Sequence, residues 1–492
     1  MTSVQPILQK AIAHLSNGEA PQAFATLAEG LKAAPGNPQL LQLMAAAAWQ
    51  GGDLYAADDA LKTLIKVQGD HTPATDLMTA QLCLDLLEFD RARAALDRLL
   101  ANGKTTPGLV KTAVRLLTWQ GETPLALQIL ERQLGQTPHA ADLLALSVTH
   151  DPNLTPARLE SAENVMSALA DSDEMKTRLL FALARYSDKI GDHEKAWSQA
   201  TQANQFSTQQ NGFNYTDEAR SAFQKQLKNR AGRAVVFANT LSAPETPTEQ
   251  NMIYLVGAPR TGSSLLQSIL SALPDVDSAG ERGAMLPYLN GLCDAVSPTP
   301  ADDFLTQVQQ ADLSGLKRGG FTAETVIDKT THNFFILPLL ARTHANAKFV
   351  NVVRRPQDVA ISMFLHEFPS AFPETCDLQT IADTLHTRTD IAAMYDEADV
   401  EIIAHNHDAF CLEPSKIGGA LSEKLSLDWS ADKLAPENRN SAVPTFSAGQ
   451  VRKPIKPSPA DHWKRFEPFM PPQVLETLGY SARRVDLIYR PA

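Results

Sequence analysis

Ile253-Tyr254-Leu255-Val256-Gly257-Ala258-Pro259-Arg260-Thr261-Gly262-Ser263-Ser264-Leu265-Leu266 is the stretch whose reading decides the fold of the second half of this chain. Four apolar residues, β-branched at Ile253 and Val256, predict a short buried strand. A turn bracketed by Gly257 and Gly262 follows, and Leu265, Leu266, Ile269 and Leu270 then recur at helical spacing. A strand that enters a helix through such a turn aims the first unpaired helical N–H groups at whatever lies above the loop. The positive end of the helix adds to their pull on an anion. The two glycines have the G-x4-G spacing of a nucleoside-triphosphate loop, but Ser263 stands where the lysine of that loop belongs. The cation of the turn is Arg260. The loop therefore reads as a phosphate site built without the usual ATP machinery.

Downstream, Val353-Arg354-Arg355-Pro356-Gln357-Asp358-Val359-Ala360-Ile361-Ser362-Met363 places an arginine at a strand end, a proline near helix entry and a serine eight residues after Arg354. Arg354 by a forked charge-assisted contact and Ser362 by its hydroxyl can converge on one phosphate. Strand-like segments at 325–327 and 349–353, with a helical segment between them and a helical insertion from about 282 to 312, predict a parallel sheet covered by helices. Ligands then belong outside the carboxyl ends of the strands.

The chain of 492 residues is too long for one ordinary core and predicts two or three domains. A hydrophobic content of 43% with 20% charged residues describes a globular protein rather than a disordered one. A formal charge of −12 argues against a nucleic-acid partner, although a local basic pocket fits within it. Cys83, Cys293, Cys376 and Cys411 are scattered, with neither metal-ligand spacing nor a disulfide framework. No basic region followed by an apolar core opens the sequence, and no apolar run reaches the length of a membrane span. The expectation is a cytoplasmic protein with reduced thiols.

The first half repeats itself. Ala23 and Leu27 return as Ala57 and Leu61, as Ala92 and Leu96, and as Ala126 and Leu130, in steps of 34 or 35 residues. Each pair lies one helical turn apart on one face. Small residues precede the first three alanines by twelve positions, at Ala11, Ala45 and Ala80, while Pro35 and Pro138 follow where a second helix should stop. Ala184, Ala196, Ala200 and Ala203 resume the scheme after a less regular stretch. This pattern resembles tetratricopeptide repeats, in which small residues let paired helices approach and stacked pairs bury a continuous core. The expected division is a helical array over 1–205, a bridging helix and linker over 206–248, and an α/β domain over 249–492.

Pro259-Arg260-Thr261-Gly262-Ser263-Ser264-Leu265 resembles the Pro-Arg-Ser-Gly-Thr-Thr-Leu loop of sulfotransferases, and the stretch from Val353 to Ser362 resembles the later 3′-phosphate motif of the same family. The resemblance implies a P-loop-like sulfotransferase fold and the donor 3′-phosphoadenosine 5′-phosphosulfate (PAPS), with PAP as product and no metal. Arg260, Thr261, Gly262, Ser263 and Ser264 would hold the 5′-phosphosulfate, and Arg354 and Ser362 the 3′ phosphate. Asp328-Lys329-Thr330-Thr331-His332-Asn333-Phe334 is similar to the family's Asp-Lys-Thr-Pro-x-Asn-Phe, with Thr331 in place of proline. Lys329 would meet charge that builds on the transferring group. Gly280-Glu281 resembles the segment that supplies the catalytic base in protein-tyrosine sulfotransferases, which makes Glu281 the candidate base. His332 and His366 are its substitutes, since many relatives use a histidine.

Thr445-Phe446-Ser447-Ala448-Gly449-Gln450-Val451-Arg452-Lys453-Pro454 is similar to a late family loop. In it Ser447 would touch the transferring group, and Arg452 or Lys453 would close over the donor. His462 stands where the family often has a basic residue before Trp463. His405 and His407 alternate in a way that suggests a metal, but the segment better resembles a degraded family stretch. The resemblance thus implies sulfuryl transfer to an acceptor hydroxyl, on a protein or peptide tyrosine held by the repeat array, or on a carbohydrate or small molecule. A nucleotide kinase on the same fold lacks its loop lysine here. A repeat scaffold with an inactive nucleotide-binding domain is the non-enzymatic alternative.

Overall fold

The computed structural model describes residues 4–101, 103, 105–246, 248, 250–369, 372–439, 451–456 and 462–488. The chain divides into two compact units, Met1–Gln133 and Leu134–Ala492.

The first unit is built of helix pairs, beginning with Val4–Ser16, Ala20–Ala33, Pro38–Gln50 and Leu54–Gln68. The repeat positions read from the sequence are its core. Ala23, Leu27, Ala57, Leu61, Ala92, Leu96, Ala126 and Leu130 are all at 0–1% exposure, as are Ala11, Ala45 and Ala80. The helix starts obey the same period. Asn37 accepts from the backbone N–H groups of Gln39 and Leu40, Thr72 from that of Thr75, and Thr106 from that of Leu109, each followed by proline at the first helical position. Such caps satisfy N–H groups that have no partner within the helix, and proline there costs no hydrogen bond.

In the second unit the helices Glu174–Ile190, His193–Asn211 and Asp217–Thr240 precede a five-stranded sheet. Its strands are β1 (Asn251–Gly257), β2 (Val276–Ser278), β3 (Thr325–Asp328), β4 (Lys348–Val353) and β5 (Ile402–Asn406). All pairings are parallel and the order is β2-β3-β1-β4-β5. The short β2 and the edge strand β5 go beyond the strands expected from sequence, and the insertion before β3 resolves into two helices, Leu286–Asp294 and Phe304–Arg318.

Both faces of the sheet are covered, and β1 alternates between them. Met252, Tyr254 and Val256 join one buried cluster with Val326, Phe334 and Phe349. Ile253 and Leu255 join the other with Leu266, Leu270, Ile327, Val350 and Leu421. This period of two is what a strand buried on both sides requires.

The helices ahead of the sheet belong to its core. Leu227, Ala231 and Ala234 of the helix Asp217–Thr240 lie in the first cluster. Ala184, Ala196 and Ala200 share a third with Ala258, Val359, Phe364 and Phe466. Trp197 lies with its ring 5.0 Å from that of Phe364 and 5.9 Å from that of Phe469. Asn204 donates its side-chain N–H to the backbone oxygen of Phe364 at 2.9 Å. A fragment starting at Leu134 is therefore expected to unfold in one cooperative thermal transition. A fragment starting at Glu249 leaves several large apolar side chains facing water, at about 1.5–3 kcal/mol each, against a total stability of about 5–15 kcal/mol. It should lose the transition and bind a hydrophobic dye. Equal cooperativity of the two fragments would show that the helices only decorate the sheet.

Candidate functional site

In a parallel sheet every carboxyl end lies along one edge, with neighbouring strands about 4.8 Å apart. Here each strand delivers a polar residue there. Glu281 follows β2, Lys329 follows β3, Arg260 follows β1, Arg354 follows β4 and Asp408 follows β5. In space the order is Glu281, Lys329, Arg260, Arg354, Asp408, although Arg260 comes first in the chain.

The loop after β1 owes its shape to backbone that side chains resist. Gly257 has φ +139°, and a Cβ on it would sit 2.4 Å from the backbone oxygen of Val352. Gly262 has φ +102°, and its Cβ would meet Nδ1 of His407 at 2.2 Å. Arg260 itself is left-handed at φ +69°, uncommon for a residue with a side chain and typical of a functional turn. Gly262 is also the N-cap of the helix Ser263–Leu270 and so brings no side chain to its first N–H groups. Thr261 donates its hydroxyl to the backbone oxygen of Ala258 at 2.8 Å, which braces the turn from within. Ser263 and Ser264 are buried at the helix start.

Arg260 Nε donates to Ser362 Oγ at 3.0 Å, and Arg354 Nη1 approaches the backbone oxygen of Arg260 at 3.4 Å. The three residues named for the two ends of the donor thus lie together. Burial, with Arg185 and Arg354 nearby, lowers the Arg260 guanidinium to about 10, still charged at neutral pH. His366 donates from Nδ1 to the Ser362 carbonyl at 2.7 Å. Its pKa is pushed well below the usual histidine range by burial and by Arg260 and Arg185, so it is neutral. Asp408 was not among the residues singled out in the sequence. It accepts from the backbone N–H of Arg355 at 2.9 Å and stands 3.7 Å from Arg354 Nε, which orients the guanidinium.

At the other end of the edge Glu281 and Lys329 form an ion pair. The Lys329 side chain is 2% exposed and that of Glu281 is 52% exposed, so the carboxylate faces solvent over a buried ammonium. Lys329 donates its backbone N–H to Gly280 at 2.8 Å, which ties the two segments. The neighbouring Arg282 is bonded to the Asp312 carboxylate and, at 2.8 Å, to the Asp312 backbone oxygen, which anchors the Glu281 loop. His332 is drawn down to about 4 by burial and by Arg388 and Arg230.

The remaining expected site residues lie elsewhere or outside view. Ser447 is outside the described residues. Arg439 holds the backbone oxygens of Val451 and Lys453 at 2.6 and 3.0 Å, and Ile455 packs on Ile269 of the phosphate-loop helix. Arg452 is half-buried there and Lys453 exposed. His462 pairs with Asp188 at 3.2 Å, which gives it a partner on the helix Glu174–Ile190. His405 packs on the Phe410 ring at 5.0 Å, and His407 lies 3.6 Å from Cys411 Sγ under the loop.

Comparison with known proteins matches residues 252–411 to the sulfotransferase family. That segment is a sulfotransferase-family domain, and in the chain it follows a helical repeat array. An uncharacterised protein of Aquifex aeolicus is 23% identical over 450 residues, covering 87% of this chain and 58% of the relative. A Caenorhabditis briggsae protein named "Putative protein-tyrosine sulfotransferase" is 26% identical over 145 residues, covering 27% of this chain and 49% of its own length. The chain thus spans about half the length of the curated relatives it matches. A tetratricopeptide repeat protein from Parabacteroides merdae aligns with a TM-score of 0.33 at 14% identity, over 41% of this chain and 77% of that one. Among the described residues no helix is long and apolar enough to cross a membrane.

Asp328, at the end of β3 beside this edge, provides a test of the site's electrostatics. Its carboxylate accepts from the backbone N–H of Thr330 at 2.9 Å, yet burial raises its pKa to about 6. A folded value above the unfolded one favours the native state at low pH, and that contribution is lost as the pH rises through about 6. Asp328→Asn keeps an acceptor for Thr330 and does not titrate. In urea titrations the wild type should lose about 2–3 kcal/mol relative to this variant between pH 4 and pH 7. A difference that stays constant would mean the carboxyl titrates alike in both states.

Proposed function

We propose that this chain moves the sulfuryl group of PAPS to an acceptor hydroxyl, with a protein or peptide tyrosine as acceptor. The observation that carries the reading is the order along the sheet edge: a solvent-facing carboxylate, a buried ammonium, then guanidiniums on a glycine-shaped turn. The residues fit a nucleotide that is phosphorylated at both ends. The left-handed turn and helix start suit the 5′ end, and Arg354 with Ser362 suits the 3′ phosphate.

Glu281 takes the acceptor proton as the acceptor oxygen bonds to sulfur. The bond from sulfur to the bridging oxygen breaks, and PAP leaves with that oxygen. Lys329 and Arg260 stabilise the charge that grows on the sulfuryl and bridging oxygens, with Ser447 as a further contact. Thr261 to Ser264, Arg452 and Lys453 are assigned to donor binding. The pairing of Glu281 with Lys329 supports this division, because a carboxylate over a buried ammonium holds the acceptor end close to neutral while the donor end is cationic. The tyrosyl acceptor is supported by the Gly280-Glu281 segment and by the relative named for that activity. In this reading 1–205 presents the acceptor, 206–248 bridges, and 249–492 carries the transfer chemistry.

Glu281→Gln keeps the side-chain size and removes the proton acceptor. With labelled PAPS and a tyrosine-rich peptide library, turnover should fall about 10²–10⁴-fold while PAP affinity stays near wild type. Wild-type turnover in a folded variant would reassign the base to a histidine.

Arg354→Ala should weaken PAP by about 10- to 100-fold, as expected for a charge-assisted contact. Adenosine 5′-phosphosulfate, which lacks the 3′ phosphate, should hardly change. Equal loss of both ligands in calorimetry would remove Arg354 from the 3′ site.

A further inference from the structure

We infer that Arg185, carried by the helix Glu174–Ile190, is a further guanidinium of the donor site and reads the negative charge at the donor's 5′ end. The inference rests on the proposed donor, and it gives a helix of the array a part in the chemistry.

The placement comes from packing. Ala184, beside Arg185 in sequence, shares a buried cluster with Ala258 of the phosphate loop and with Val359 and Phe364 of the helix after β4. Arg178, two turns earlier on the same helix, pairs with Glu367 at 3.2 Å. Glu367 adjoins His366, which is bonded to the Ser362 carbonyl at 2.7 Å, and the Ser362 hydroxyl accepts from Arg260 at 3.0 Å. The helix is thus fixed against the segment that carries Ser362, the hydrogen-bond partner of Arg260 Nε.

The Arg185 side chain is partly exposed, and its buried end has little to satisfy it. Nη2 donates to the Thr149 hydroxyl at 2.8 Å. Nε is buried with no hydrogen-bond partner among the described residues. Part of the guanidinium stays in contact with water, and it is the dry Nε, beside a single neutral side-chain partner, that leaves donor capacity for an anion. The nearby carboxylate, Glu367, is already engaged by Arg178. Arg185 is also close enough to lower the pKa of both Arg260 and His366. Positive charges that repel one another around a left-handed anion turn are what a doubly charged ligand end relieves.

The test uses the full chain, with PAP and adenosine 3′-phosphate as probes in calorimetry. Arg185→Gln should weaken PAP by about 10- to 100-fold and leave adenosine 3′-phosphate within about twofold, since only PAP carries the 5′ group. Arg185→Lys should recover part of the loss. Thr149→Val removes the structural bond and keeps the charge, so its PAP affinity should match wild type. Wild-type PAP binding by Arg185→Gln would overturn the inference. So would equal loss of both probes, which is the mark of a structural role. A wild-type protein that binds neither probe would overturn the donor reading, and this inference with it.

Discussion

The site depends on a missing atom at Gly257. The central strand must turn away from β4 at a point where its backbone touches the carbonyl oxygen of Val352, and any Cβ there would clash at 2.4 Å. That close departure seats the loop against the end of β4, where Arg354 reaches the Arg260 carbonyl. Gly262 repeats the device one turn later against His407, so the loop is clamped between the ends of β4 and β5. The strained φ of Arg260 is held by this clamp, with Thr261 bracing the turn from inside.

With the loop fixed, the edge becomes electrically two-ended. Around Arg260 the charge is cationic and partly buried, and it is opposed by Asp408 and Glu367, both already bound to arginines. Such a cluster lowers the stability of the empty protein and is relieved by a bound anion, so ligand binding and folding stability are coupled there. The other end is an ion pair with its carboxylate open to solvent. A reaction that needs strong anion binding at one point and proton removal at another can draw on this asymmetry.

The sequence made a good part of this legible because much of the information is local. Alanine and leucine at a fixed period can mean only one packed face, and those residues are the core of the first unit. Gly257, Arg260 and Gly262 announce their turn within six residues. Glu281 and Lys329 were named separately, and their pairing required the parallel register of β2 with β3. What escaped was non-local or faint. β2 is three residues long, and β5 is a half-buried edge, so neither has a hydrophobic signature. Arg185 looks like any polar residue on a helix, because the role proposed for it comes from the packing of that helix against a loop 75 positions away. The sequence offers Arg178 at i−7, on the same face as Arg185, and the small Ala184 at i−1, on the face that packs closely.

The edge is also unequal in how much chain it can absorb. Between β4 and its helix lie only Arg354 and Arg355, and β5 passes straight into its helix at His407. Between β2 and β3 the chain runs from 279 to 324 and carries two helices of its own. The connection beside Glu281 therefore has room for added residues that the connections beside Arg260 and Arg354 do not have. On the proposed reading, then, the end that holds the donor is the geometrically tight one and the end that meets the acceptor is the roomy one, so a change of acceptor asks less of this frame than a change of donor.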